Sequence, residues 1–132
     1  VLHSIGMSVN VRKGKHYTDL NHDWMGKGWD VSAVSFHKLL QSLYKLEAMN
    51  EWSSIVALTY MAAQRVFPNY NDMADNKAYL ESIARSFGYF FGKDKSRTDG
   101  VLFQFISKSG ANFSRFELKP STLDFWVALK PK

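Results

Sequence analysis

Within one eight-residue span, His16, Asp19, His22 and Asp23 form the densest cluster of polar side chains in this 132-residue chain. Imidazole and carboxylate groups at such spacing are the raw material of a metal site, or of a His and carboxylate pair for acid-base work. Steps of three residues converge only on a helix, and Tyr17-Thr18-Asp19-Leu20-Asn21 between them reads as loop. Asp19 and Asp23 are therefore expected to cap local turns, with the histidines in solvent. His3 and His37 stand alone. No catalytic residue, metal or cofactor is assigned. The phosphate loop, the dinucleotide fingerprint, the G-x-S-x-G elbow and the H-E-x-x-H pair are all missing, and the absence of cysteine excludes disulfides and thiolate chemistry. Gly14-Lys15 and Gly26-Lys27-Gly28 read as turns.

A second constellation is cationic. Seventeen Lys and Arg against twelve Asp and Glu give a net charge of +5 and a pI near 9.5, a surface suited to polyanions. The basic residues gather in a turn at Arg12, Lys13 and Lys15 and in a polar run containing Lys93, Lys95 and Arg97, with Lys108, Arg115 and Lys119 further on. Aromatic residues interleave with them: Tyr17, Trp24, Phe113 and Trp126. Cations that hold phosphates beside rings that stack unpaired bases are how sheet surfaces bind single strands. The expected site is Arg12, Lys13, Lys15, Tyr17, Lys93, Lys95, Arg97, Arg115 and Trp126. The expected role is a small, basic, non-catalytic protein that binds nucleic acid, RNA or single-stranded DNA. Two alternatives remain open. Apolar side chains on both faces of the C-terminal strands, Trp126 opposite Phe125, suit a self-assembling virion or scaffold protein that forms homo-oligomers. A metal-independent nuclease would instead assemble His16 or His22 with Lys15 and Arg97.

The elements that must position these groups change period once along the chain. Ile5, Met7, Val9 and Val11 alternate with smaller polar residues, which predicts an opening strand. Residues His16 to Asp30 read as a loop laid across the core by Trp24 and Trp29. A first helix is expected after Asp30 or Ser32, with Phe36, Leu39, Leu40, Leu43 and Leu46 on one stripe. A second, the most buried, is expected from Asn50 to Pro68 through Trp52, Ile55, Val56, Thr59, Ala62, Ala63 and Val66. A polar link from Asn69 to Asn76 leads to a third, with Tyr79, Leu80, Ile83, Phe87, Phe90 and Phe91 inward, ended by Gly92. Three strands follow, Val101–Ser107, Phe113–Lys119 and Thr122–Lys130, joined by links short enough to make them antiparallel neighbours. The expected fold is α+β: a mostly antiparallel sheet of about four strands, one N-terminal and three C-terminal, with three helices packed on one face.

One domain spanning residues 1–132 can bury roughly two thirds of its unfolded surface, and 15% aromatic residues supply a core. No apolar run approaches the roughly 20 residues of a membrane span, and no signal peptide is read, so a soluble protein is expected. The chain opens on Val1 rather than Met, which suggests a processed chain or an excised domain.

Overall fold

The computed structural model describes residues 1–50, 53–93, 102–107 and 114–117. The elements run β1 (Leu2–His3), α1 (Val9–Arg12), a 3-10 turn (Tyr17–Asp19), α2 (His22–Trp29), a π-helical turn (Asp30–Val34) and α3 (Ser35–Lys45). They continue with β2 (Ser54–Thr59), a second 3-10 turn (Met61–Ala63), α4 (Asp72–Lys93), β3 (Leu102–Ser107) and β4 (Ser114–Glu117).

Residues 54–59, Ser-Ile-Val-Ala-Leu-Thr, decide the architecture. They form the inner strand β2, parallel to β1 with Leu2 opposite Val56, and parallel to β3 with Ser54 opposite Leu102 through to Thr59 opposite Ser107. β4 joins β3 antiparallel, giving the strand order β1-β2-β3-β4. Helices cross over between β1 and β2 and again between β2 and β3, so the sheet is built from two successive βαβ units, a Rossmann-like α/β arrangement.

This corrects the α+β expectation of a mostly antiparallel sheet, because of the three strand pairs described β3–β4 alone is antiparallel. The error lies in the segment expected to be the most buried helix. A strand with covered faces carries a near-continuous apolar run, which periodicity alone cannot separate from a buried helix. The β-branched Ile55, Val56 and Thr59 favour the pleat. Val66, expected on the helix's inner face, is 92% exposed.

The N-terminal strand is also shorter than expected. Pairing stops at His3, and the Ser8 side chain accepts the Val11 N–H at 3.0 Å, which caps α1 and turns Val9 and Val11 into helix. The loop expected from His16 to Asp30 is largely helix. Asn21 Oδ1 accepts the Trp24 N–H at 3.0 Å to start α2, which runs through the π-helical turn into α3. Gly28 marks close packing rather than a break. A Cβ there would lie 3.1 Å from the Met7 carbonyl oxygen and 3.2 Å from Asn76 Nδ2.

The third expected helix is observed as α4, and β3 and β4 lie where strands were expected; the expected strand Thr122–Lys130 lies outside the described residues. Phe36 and Leu40 of α3 meet Ile55 and Ala57 of β2 and Leu80, Ile83, Ala84 and Phe91 of α4 in one core. Each large side chain buried there contributes about 1.5–3 kcal/mol. Tyr44 packs edge-on against Phe91, ring centroids 5.3 Å apart, and locks α3 to α4. Tyr79 and Phe90, expected inward, face solvent. No helix among the described residues is long and apolar enough to cross a membrane.

Candidate active site

β1 and β2 run parallel, so their C-terminal ends open on the same edge of the sheet, the edge at which α/β folds bind ligands. Three polar side chains collect there. Tyr60 follows β2 directly, and its ring lies 4.7 Å from that of Tyr70 and 5.2 Å from that of Phe67, centroid to centroid. Tyr70 stands at the entry to α4. The turn that delivers it uses the left-handed backbone of Asn69 (φ 69°) and Asn71 (φ 47°), a conformation asparagine tolerates better than most residues. In the second turn of α4, Lys77 is buried and its Nζ donates to the Leu58 carbonyl at 2.6 Å.

The electrostatics follow from this burial. Lys77 meets a neutral carbonyl rather than a carboxylate, so lost hydration lowers its pKa from the ordinary 10.5. Burial and the neighbouring Tyr60 raise the Tyr70 phenol above its ordinary 10.0. Tyr70 is thus a neutral O–H donor at physiological pH, within the same polar edge as a buried cation. Such a pair can stabilise negative charge on a substrate oxygen and then supply it with a proton.

The loop after β1 closes the other side. A Cβ on Gly6 would sit 3.6 Å from Lys77 Nζ and 2.6 Å from Met73 Cε, so this backbone passes directly over the lysine. His3, buried at the end of β1, contacts Ser35 Oγ through Nε2 at 2.9 Å. Since the Ser35 hydroxyl donates to the Val31 carbonyl at 2.6 Å, it accepts from His3, which fixes the proton on Nε2. Burial first, then the charge of Lys77, lowers the His3 pKa from 6.5. The start of α4 is anchored by Asp72, whose buried carboxylate accepts from Ser8 Oγ at 2.6 Å and Asn10 Nδ2 at 3.1 Å.

None of the described residues singled out in the sequence supplies a side chain to this grouping of Tyr60, Tyr70 and Lys77. Arg12 and Lys13 are exposed at the end of α1. Lys15 pairs with Asp19 at 3.1 Å, and its carbonyl accepts from Asn71 Nδ2. The Tyr17 hydroxyl donates to the Asp75 carboxylate at 3.1 Å instead of standing free to stack on a base. Lys93 is the last residue of α4, and Arg115 lies on β4 opposite Gln104. Lys95, Arg97 and Trp126 lie outside the described residues. His16 bonds Thr18, and no group of three or more metal-ligating side chains exists among the described residues, so His16, Asp19, His22 and Asp23 do not gather.

Tyr60, Tyr70 and Lys77 were absent from the sequence-based site. The signal was a lysine on an apolar stripe: Lys77 shares a helix face with Leu80 and Ala84, and such a cation needs a reason to be buried.

The sequence profile of enoyl-(acyl carrier protein) reductases matches residues 1–131. The NADH-dependent enoyl-acyl carrier protein reductase FabI of Enterococcus faecalis is 30% identical over 101 residues, which are 76% of this chain and 40% of that protein. A second such reductase, from Rhizobium meliloti, is 30% identical over 122 residues, 90% of this chain and 44% of its own length. The crystal structure of FabI from Alistipes finegoldii superimposes with a TM-score of 0.74 at 57% identity, covering 82% of this chain and 39% of that one. The chain therefore spans about two fifths of the length of these relatives. Relatives that are reductases overturn the reading as a non-catalytic nucleic-acid-binding protein, and with it the virion or scaffold alternative and the nucleic-acid partner. Physically, the excess of lysine and arginine is a property of the surface, whereas the polar groups collected at the strand edge are a buried lysine and two tyrosines. With the profile matching nearly from end to end, the chain belongs to the enoyl-(acyl carrier protein) reductase family.

Proposed function

We propose that this chain carries the proton-donating half of an enoyl-thioester reductase, acting on an acyl chain held by acyl carrier protein. The observation that supports it most is the grouping of Tyr60, Tyr70 and Lys77 at the C-terminal edge of β1 and β2, in a chain of this family.

Saturating a double bond conjugated to a thioester carbonyl leaves negative charge on the carbonyl oxygen before a proton arrives. The Tyr70 phenol, kept protonated by burial, donates to that oxygen. Tyr60 packs against Tyr70, Phe67 backs Tyr60, and the Tyr70 ring is half-buried. Lys77 places a cation behind the same edge, held in place by the Leu58 carbonyl.

Related structures include a complex of the Alistipes finegoldii FabI with NADH. The residues present fit a nicotinamide nucleotide. The Lys77 ammonium has three N–H groups and spends one on Leu58, and the Gly6 backbone lies where a Cβ would crowd Met73. Lys77 and the Ser4–Gly6 segment would hold it, and bound there it supplies hydride.

The test is NADH oxidation with a short enoyl thioester of acyl carrier protein. Tyr70→Phe, which keeps the ring and removes only the hydroxyl, is expected to lose about 100-fold or more of the rate with the thermal midpoint unchanged. Wild-type rates in Tyr70→Phe would overturn the assignment.

A further inference from the structure

We propose that Ser32 is a positioning residue: its hydroxyl clamps both backbone groups of Met7 and thereby holds the Ser4–Gly6 segment against Lys77. The inference rests on Lys77 being part of the reacting edge. Ser32 is fully buried within the π-helical turn. The Met7 N–H donates to Ser32 Oγ at 2.8 Å, and Ser32 Oγ donates to the Met7 carbonyl at 3.0 Å. One hydroxyl thus does for Met7 what a neighbouring strand would do, at a point where the β1–β2 pairing has already ended.

The neighbours make this a clamp rather than an incidental contact. Gly28, Ser32 and Ser35 succeed one another at helical spacing and face the same segment: Gly28 approaches the Met7 carbonyl, Ser32 bonds Met7, and Ser35 holds His3. On the far side Ser8 is fixed by Asp72. The exposed residues Ser4, Ile5 and Gly6 are strung between these anchors, and Gly6 lies over the Lys77 ammonium. A shift of about 1 Å at a reacting edge can cost about 100-fold in rate.

Ser32→Ala removes both bonds. Ser32→Cys keeps the volume while weakening them, and serves if the alanine variant does not fold. Ser42→Ala, on the exposed side of α3, is the control. The readouts are the Lys77 titration midpoint, followed by NMR of labelled lysine side chains, and the Kd for NADH. In whichever Ser32 variant folds, the Lys77 midpoint is expected to rise toward the ordinary lysine value as solvent enters, with NADH affinity falling by about 10-fold. Ser42→Ala should change neither. An unmoved Lys77 midpoint in a folded Ser32 variant overturns the clamp, whatever the NADH result. Failure of the unmodified chain to bind NADH would overturn the cofactor reading instead, and the lysine titration would still decide the clamp.

Discussion

A buried lysine bonded to a carbonyl has lost water without gaining a countercharge, and a buried histidine beside it is pressed further toward neutrality. His3 and Lys77 are such a pair, and their cost is visible in stability against pH. The folded His3 pKa lies below 6.5, so as pH drops below 6.5 the unfolded chain takes up a proton that the folded chain resists. Stability is therefore expected to fall through the window between 6.5 and the lowered folded value, and to be unaffected by His3 above it. Lys77 acts in the alkaline range with the same sign: its folded pKa is below 10.5, so stability rises as pH climbs from the folded value to 10.5. Tyr70 has the opposite sign, since the folded chain keeps its phenolic proton above pH 10.0 while the unfolded chain releases it. Urea denaturation across the acid range checks the first of these. His3→Asn, which cannot titrate, should flatten the slope just below pH 6.5, and a slope as steep as wild type would mean that another group carries it.

Two glycines in the same helix show how an element is read by what surrounds it. Gly26 and Gly28 both sit in α2, and in sequence both look like helix breaks. Space separates them. Nothing lies within 4 Å of a Cβ built on Gly26, whereas one built on Gly28 meets the Met7 carbonyl and the Asn76 side chain. Gly26→Ala is expected to stabilise the fold by about 0.5–1 kcal/mol through helix propensity and a less disordered unfolded chain. Gly28→Ala gains the same propensity but must displace backbone, and a net loss of about 1–3 kcal/mol is expected. Thermal or urea unfolding of the two variants side by side tests this. The elements legible in sequence were those whose signal was local: the Phe36 and Leu40 stripe of α3, the Leu80, Ile83 and Phe91 stripe of α4, and the alternation of β3 and β4. β2 was illegible because the half-buried Val56 and Leu58 are as apolar as the buried Ile55 and Ala57, which hides its alternation, and α2 because a packing glycine has the same letter as a turn glycine. Of the candidate site, Lys77 alone left a mark in the sequence, as a cation on an apolar stripe. Tyr60 lies in the middle of a misassigned helix, Tyr70 sits in a stretch read as a polar link, and only folding brings their ring centroids within 4.7 Å.

Across the whole molecule, the charge of +5 describes a surface, and surface charge speaks to solubility and encounter rather than to chemistry. What organises the chain is β2. It is flanked on both sides by parallel strands, it buries Ile55 and Ala57 against α3 and α4, and its last residue, Thr59, donates to the buried carboxylate of Glu81 at 2.7 Å. Tyr60 begins where it ends, and the Leu58 carbonyl holds Lys77. Core and candidate site thus share one strand, so the site should not outlast the core. Ile55→Ala removes a fully buried side chain at its centre and is expected to cost about 2–5 kcal/mol. Tyr17→Phe, which deletes only the exposed bond to Asp75, should cost under about 1 kcal/mol. Urea unfolding followed by helical circular dichroism and by NMR signals of Tyr70 and Lys77 should give coincident midpoints in wild type and in Ile55→Ala, both shifted together. Loss of the Tyr70 and Lys77 signals ahead of the helical transition would show that the site hangs on the β1 loop and the entry to α4 rather than on β2.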